Sequence, residues 1–198
     1  MGFLTISRES RSRLCVPNRA VIEQFFECYF QYLRGTDQPV WLHNDLRDPV
    51  RALLAGDPEP FVRQVCAVMT RACGNHANLH LKESDMQTAL LMGARLETDD
   101  CVNAELEVAG AEGGFADLVL ANVHSGKSTP SYVFELKRLR KSNASPEKLD
   151  EALRQALGPV DRYARSDTLS SMKFLKKVAV VFVGTSVGRI SVREHVAR

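Results

Sequence analysis

The chain has 198 residues, of which 44% are hydrophobic and 25% charged, and its formal net charge is +2. This length suits one domain, or one domain with a small added lobe, and the ordinary composition argues against disorder. No apolar run approaches a membrane span, and residues 1–30 lack the continuous apolar stretch of a secretory signal peptide. These features predict a folded cytoplasmic protein, or a nuclear one in a eukaryote, without membrane association.

The five cysteines, at positions 15, 28, 66, 73 and 101, are odd in number and include no C-x-x-C pair. This usage favours reduced thiols in an intracellular protein. Cys73, His76 and His80 offer three ligands for zinc, but no fourth is evident. Because Gly74-Asn75 is expected to interrupt the element that carries them, a polar loop between helices is the favoured interpretation.

Residues 1–80 predict a small helical lobe. Residues 2–6 alternate like a short edge strand, and this start suggests the C-terminal piece of a longer protein. From Asn18 to Leu33, apolar and aromatic residues recur at three- and four-residue steps, which predicts an amphipathic helix. We expect the aromatic residues of this helix to lie in the core. The alternative is that they form a docking surface for a protein partner. Asp45 is expected to cap a helix over 46–54, and Asp57-Pro58 to begin the next.

Residues 81–198 predict an α/β core with a mixed sheet. A helix is expected over 83–96, and another should begin at Ser145-Pro146, with Gly158-Pro159 as a candidate break before Val160 and Tyr163. Strands are predicted by alternating or continuously apolar segments. They are expected at 102–108, from 117, at 132–138, at 178–184 and, at a sheet edge, at 189–195.

Asp117, Glu135 and Lys137 form a pattern that folding alone does not require. Glu135 and Lys137 point to one face of a strand because side chains alternate across the pleat. The polar connection at 122–131 is long enough to return the chain as an antiparallel neighbour, which would place Asp117 beside Glu135. With the backbone carbonyl of Leu136, the two carboxylates make an oxygen-rich site of the kind that Mg²⁺ prefers. The alternative interpretation is a salt-bridged edge strand.

Two further acids are candidates for the same metal site. Glu83 lies in the first turn of a predicted helix, where the helix dipole alone already favours an acid. Glu107 lies on the strand that leads to Asp117 and is favoured over Glu105 because it is nearer to the connecting turn. A basic run, Lys137 to Lys141, follows the predicted site directly; it is either a solvated edge or a surface for phosphates.

These residues resemble the PD-(D/E)XK nuclease superfamily, whose motif is carried here by Asp117, Glu135 and Lys137. Within it, the chain is similar to the branch usually found C-terminal to AAA-ATPase-like modules. The segment 14–21 resembles the entry to that branch's helical region, and Glu83 followed by residues 89–91 resembles its glutamate-bearing helix. Phe115 and Gln87 stand where the branch commonly has an arginine and a histidine.

The resemblance implies a restriction-endonuclease-like fold and a Mg²⁺-dependent nuclease that also accepts Mn²⁺. It implies DNA as the substrate, and a catalytic role for Gln155 on the helix after the acid-lysine strand. Tyr163 matches a tyrosine of that helix at a different spacing. The chain has no phosphate-binding Gly-x-x-x-x-Gly-Lys loop, so no ATPase is expected. The alternative function is a catalytically inactive, nuclease-derived module that binds nucleic acid or protein.

Overall fold

A computed structural model gives the positions of most of the chain. It describes residues 5–6, 14–15, 21, 24, 27–28, 43–77, 81–97, 102–109, 114–122, 129–172 and 174–195. The helices are α1 His43–Ala55, α2 Glu59–Ala77, α3 Glu83–Glu97, α4 Pro146–Tyr163 and α5 Asp167–Ser170. The strands are β1 Thr5–Ile6, β2 Leu14–Cys15, β3 Val102–Ala109, β4 Phe115–Asn122, β5 Ser131–Leu139, β6 Leu175–Val183 and β7 Ser186–Glu194.

The centre of the fold is a five-stranded sheet with the order β3-β4-β5-β6-β7. Strands β3, β4 and β5 are antiparallel neighbours, β5 and β6 are parallel, and β6 and β7 are antiparallel. The parallel pair is connected through α4 and α5, as such a pair requires a crossover. The predicted α/β core, with a mixed sheet flanked by helices, is therefore confirmed. Strands β1 and β2 form a separate antiparallel pair.

The two faces of the sheet are covered by different helices. On one face, α1, α2 and α3 share a buried cluster with apolar side chains of β4, β5 and β6. On the other face, Val160 and Tyr163 of α4 pack with Val119 and Val133 of the sheet. Strand β6 is buried along most of its length because both of its neighbours and both layers of helices cover it. Burial of these apolar side chains is the main stabilising contribution.

The predicted helix boundaries near residue 57 follow from local chemistry. Gly56 adopts a φ of 110°, which ends α1. The Asp57 carboxylate then accepts a hydrogen bond of 3.1 Å from the backbone N–H of Glu59 and so caps α2. In the same way the Ser145 hydroxyl accepts from the N–H of Lys148 at the start of α4, with Pro146 in the first turn.

Two predicted interruptions are wrong. Helix α4 continues through Gly158-Pro159, and α2 continues through Gly74-Asn75 to Ala77. A proline at 159 leaves the carbonyl of Gln155 without its helical donor. Since residue 155 is on the exposed side of α4, water can bond that carbonyl, and the buried face on either side of the proline holds the helix together.

The helices of the predicted N-terminal lobe pack directly on the sheet. Tyr132 of β5 donates its hydroxyl to the Leu53 carbonyl at the end of α1, and the Thr70 and Thr185 hydroxyls lie 2.7 Å apart. The division into residues 1–80 and 81–198 stays a prediction. Most of the predicted helix from Asn18 to Leu33, including Phe25, Phe26 and Tyr29, lies outside the described residues.

Candidate active site

Asp117 and Glu135 lie side by side where β4 and β5 begin to separate. The two strands pair at Leu118 and Phe134, so the next residues along, Asp117 and Glu135, face each other. Here the Asp117 side chain takes the place of a backbone partner for β5, because its Oδ2 accepts a hydrogen bond of 2.6 Å from the backbone N–H of Leu136. Strand β4 continues to pair with β3 as far as Ala109 and Phe115. The sheet therefore opens as a fork between β4 and β5 at this end.

Glu135 is a buried carboxylate with only one of its oxygens bonded. Its side chain is 6% exposed, and Oε1 accepts a hydrogen bond of 2.7 Å from Nζ of Lys137, which is 33% exposed. The other oxygen, Oε2, is buried and has no hydrogen-bond partner among the described residues. A buried polar atom without a partner is costly. The arrangement indicates that Glu135 is placed to bind something that enters the fork.

Helix α3 brings two polar side chains to the same place. The Gln87 amide donates a hydrogen bond of 2.8 Å to Oδ1 of Asp117. The Glu83 carboxylate accepts a hydrogen bond from the backbone N–H of Arg138, just beyond Lys137. Glu83 and Gln87 are one turn apart and so lie on one face of α3. This spacing could have indicated a joint role from the sequence, but the contact between Gln87 and Asp117 joins distant parts of the chain.

Tyr163 reaches the site from α4 and packs against the entry to β4. Gly114 has a φ of 97°. A Cβ at Gly114 would lie 3.2 Å from the Tyr163 hydroxyl oxygen, so the absence of a side chain at residue 114 lets the ring approach. Burial raises the pKa of the Tyr163 phenol, and the nearby negative charge of Glu135 adds to the effect. Tyr163 therefore stays protonated at neutral pH.

The charges of the cluster influence one another. Burial raises the pKa of Glu135, and the neighbouring carboxylates of Asp117 and Glu83 raise it further, against the lowering effect of Lys137. Burial likewise raises the pKa of Glu83. For Lys137, burial lowers the pKa, but the hydrogen bond and charge of Glu135, with the charges of Glu83 and Asp117, outweigh it and leave the pKa raised. The lysine is therefore a firmly held ammonium among three acids.

The donor set fits a divalent cation in its chemistry. Among the described residues, no group of three or more His, Cys, Asp or Glu side chains is already arranged around one point that could hold a metal ion. The unpartnered Oε2 of Glu135 and the adjacent Asp117 nevertheless supply hard oxygen donors, which Mg²⁺ prefers together with water. Asp117 and Glu135 would hold the ion. Hydrogen bonds to Asp117 would orient its carboxylate, as partners of metal-binding groups usually do.

The other predicted site residues are placed as follows. Leu136 is next to Glu135 on β5, so its carbonyl stays a predicted ligand. The backbone of Glu107 lies between the pairs Leu106–Leu118 and Val108–Ala116, opposite Asp117; its side chain lies outside the described part of the structure. Gln155 is exposed, and its amide donates to Glu151 one turn earlier on α4. Tyr163, not Gln155, is the α4 residue that the structure brings to the cluster.

Two lysines of β6 serve the fold. Lys176 donates to the Gly56 carbonyl, and Lys177 forms an ion pair of 2.6 Å with Asp161. The predicted basic run, Lys137 to Lys141, is a separate segment. Arg140 and Lys141, which follow β5 directly, are exposed beside the fork. Cys73 and His76 lie in α2, but their side chains, like His80, lie outside the described residues, so the zinc alternative stays untested.

The site consists of two carboxylates on adjacent strands and a lysine two residues after the second. In a mixed sheet, this arrangement is typical of nuclease-like α/β proteins. A sequence model of the PD-(D/E)XK nuclease superfamily matches residues 82–192, more than half of the chain. The chain belongs to this superfamily, whose members are generally nucleases that act on nucleic acid. No curated protein matched the chain. None of the helices that the structure describes is long and apolar enough to cross a membrane.

Proposed function

We propose that this protein is a Mg²⁺-dependent nuclease that hydrolyses phosphodiester bonds, with DNA as its substrate. The observation that carries the proposal is the buried Glu135, whose Oε2 has no hydrogen-bond partner in the part of the chain that the structure describes, while Asp117 and Lys137 lie beside it. A fold that needed only a salt bridge would not bury a second, unbonded carboxylate oxygen, because that costs stability. The cost is understandable if an ion and a substrate complete the site.

The residues have separate roles in the proposed reaction. Asp117 and Glu135 bind the cation, and the Leu136 carbonyl, Glu107 and Glu83 are further candidates for its ligands or for groups that hold its waters. When bound, the cation supplies a Lewis acid for the phosphate and lowers the pKa of bound water. Lys137, held as an ammonium by the surrounding acids, acts as a hydrogen-bond donor rather than a base. It positions the attacking water and stabilises the negative charge that develops on the phosphate oxygens.

Substrate cleavage by variants tests the proposal. The purified full chain is incubated with single- and double-stranded DNA in Mg²⁺ or Mn²⁺, beside Asp117→Ala and Lys137→Ala. Removal of either side chain should lower the cleavage rate by about 100-fold or more, the size seen for loss of one preorganised electrostatic group. Glu151→Gln, an exposed acid of α4, should cut at the wild-type rate. Wild-type protein that cuts neither substrate, or variants that cut as fast as wild type, would contradict the nuclease.

A second candidate function is a nuclease-derived module that binds without turnover. It is favoured by the hydrogen bonds that Asp117 already accepts at both oxygens and by the absence of a ready three-acid group among the described residues. Titration calorimetry with Mg²⁺ and Mn²⁺ separates the two functions. A nuclease should bind the cation in a manner that Asp117→Ala and Glu135→Gln abolish, whereas an inactive module should show no such binding.

We further propose that the chain belongs to the branch found beside AAA-ATPase-like modules. The segment 14–21 and the glutamate of α3 support this assignment. Segment 14–21 includes β2, which pairs with β1. We also propose that a protein partner binds the aromatic residues near Phe25. Co-purification of the chain with an ATPase module would test this proposal.

A further inference from the structure

Phe115 is a large apolar side chain that the fold leaves in water. Its exposed fraction is 61%, and the described residues contain two other exposed large hydrophobic side chains, Phe174 and Val192. An isolated exposed apolar residue needs no special explanation. The position of Phe115 does need one, because it lies two residues before Asp117 in the same strand, roughly 7 Å along β4.

The backbone at Phe115 is held by strand pairing, so the ring has a defined position on the surface. Phe115 is paired with Ala109 of β3, and Ala116 beside it is fully buried with Tyr163 and Val160. The preceding Gly114 lies against the Tyr163 ring. With Ala116 directed into the core, Phe115 is held outside it, on the β4 side of the fork.

On the other side of the fork, Lys137 is paired with Glu135, and Arg138 donates to the Gly184 carbonyl. Strand β5 then continues into two exposed cations, Arg140 and Lys141. An aromatic ring on one side and exposed cations beyond the other match a single nucleic-acid strand, whose bases have flat apolar faces and whose phosphates are anionic. A lipid or a peptide would use the charges or the ring, but the combination beside a phosphodiester site favours a nucleotide.

We propose that Phe115 stacks on an unpaired base next to the phosphodiester bond held at Asp117 and Glu135, and that the protein therefore takes single-stranded DNA. A base inside a duplex is already covered on both faces, so an intact duplex offers the ring nothing to stack on. The inference rests on the proposed nuclease function, because it uses that site to place the phosphate. It adds the strand form of the substrate and assigns Phe115 as a residue that positions it.

Equilibrium binding tests the inference without cleavage. The anisotropy of a labelled oligothymidylate and of a labelled duplex is measured with the full chain in Ca²⁺ in place of Mg²⁺, so that the proposed cation site is filled, for wild type, Phe115→Ala and Phe115→Trp. Loss of one stacked base costs about 1–3 kcal/mol, which is roughly a 5- to 150-fold weaker affinity for the single strand. Phe115→Trp should restore binding, and the affinity for the duplex should change little.

Phe174→Ala is the matched control. Phe174 is also 61% exposed, but it precedes the start of β6, which pairs with Ser131 at the end of β5 far from Lys137. Its removal should leave single-strand affinity unchanged. If Phe115→Ala and Phe174→Ala weaken single-strand binding equally, or if neither does, Phe115 is not a stacking residue. Thermal unfolding of each variant checks that the fold is intact.

The two proposals fail in different ways. If removal of the Phe115 ring leaves single-strand affinity unchanged while cleavage still requires Asp117, the nuclease function is supported and the stacking role is overturned. If wild type cuts no DNA but Phe115→Ala still loses single-strand affinity and Phe115→Trp regains it, the stacking role stands on an inactive module. Preferential loss of duplex affinity in Phe115→Ala would overturn the assignment of single strands.

Discussion

Gln87 holds the carboxylate of Asp117 from one side while the backbone of β5 holds it from the other. A carboxylate held by donors at both oxygens keeps one orientation, and a carboxylate offers about four lone-pair sites in all. Gln87 is therefore a positioning residue in the proposed mechanism. Its side chain does not need to touch the substrate to affect the reaction.

Gln87→Ala should lower cation affinity and cleavage by about 10- to 100-fold, the usual cost of removing a partner of a metal-binding group. Calorimetry measures the affinity of each variant for Mn²⁺. If Gln87 had only a structural role, its removal would not be expected to lower that affinity. Thr88→Ala is the matched control, since Thr88 is the next residue of α3 and its hydroxyl bonds the Ser84 carbonyl. Equal effects of the two variants would contradict the role of Gln87.

The buried Glu135 should also shape the dependence of stability on pH. Because its pKa is raised in the folded state, the folded protein holds the proton more readily than the unfolded chain. The stability that this group contributes is thus fully present below the unfolded pKa, and is lost as pH rises through the folded pKa. At neutral pH, Glu135 is a net cost to the folded protein without a cation.

Glu135→Gln should therefore melt at a higher temperature than wild type at neutral pH in EDTA, with the difference shrinking below about pH 4. Added Mg²⁺ should raise the melting temperature of wild type, because a ligand of the folded state stabilises it, and should leave Glu135→Gln unchanged. Differential scanning calorimetry measures both effects. A wild type that Mg²⁺ does not stabilise, or a variant that melts lower at neutral pH, would contradict this account of Glu135.

At the scale of elements, strand alternation and cap residues predicted most of the fold. The apolar segment that contains Glu-x-Lys predicted β5. The polar connection predicted that β4 and β5 are antiparallel, which puts Asp117 beside Glu135. The continuation of α4 through Pro159 was not predictable, since local propensity opposes it and tertiary packing decides. Tyr163 was set aside in favour of Gln155 because its spacing differs from the family pattern, whereas the continuous helix places Tyr163 on the buried face with Ala156 and Val160.

The two glycines at 114 and 158 should respond differently to alanine. Gly114→Ala should destabilise the fold by about 1–3 kcal/mol, because a side chain at that φ is strained and its Cβ would press on Tyr163. Gly158→Ala should change stability by less than about 1 kcal/mol, because the gain in helix propensity is opposed by the contact of a Cβ with the ring of Pro159, and no other heavy atom outside the helix backbone lies within 4 Å. Urea unfolding measures both, and a larger loss for Gly158→Ala than for Gly114→Ala would contradict the assigned conformations.

At the scale of the whole molecule, the described helices of the predicted lobe and the sheet share one core. Leu53 of α1 and Leu120 of β4 are both 1% exposed and belong to the same buried cluster. A sequence reveals which residues are apolar on each element, but it does not reveal which elements their apolar faces meet. The boundary near residue 80 was expected from the run of helical patterns that precedes it, and it stays a prediction.

Leu53→Ala and Leu120→Ala should each cost about 2–5 kcal/mol and should lower one common unfolding transition. Differential scanning calorimetry tests this, with the exposed Arg51→Ala as the control, expected to change stability by less than about 0.5 kcal/mol. Two separate transitions, each lowered by only one of the leucine variants, would instead support independent units on either side of residue 80.

The parallel pairing of β5 with β6 sets the order in which the chain can assemble. Ser131 pairs with Leu175, more than forty residues later, whereas β4 and β5 are joined by a short connection. Contacts between distant segments form slowly because the loop must close first. Asp117 and Glu135 can therefore meet early, in a hairpin, while the late docking of β6 limits the folding rate. Until then the edge of β5 that later pairs with β6 is open, and an unpaired strand edge favours aggregation of the nascent protein.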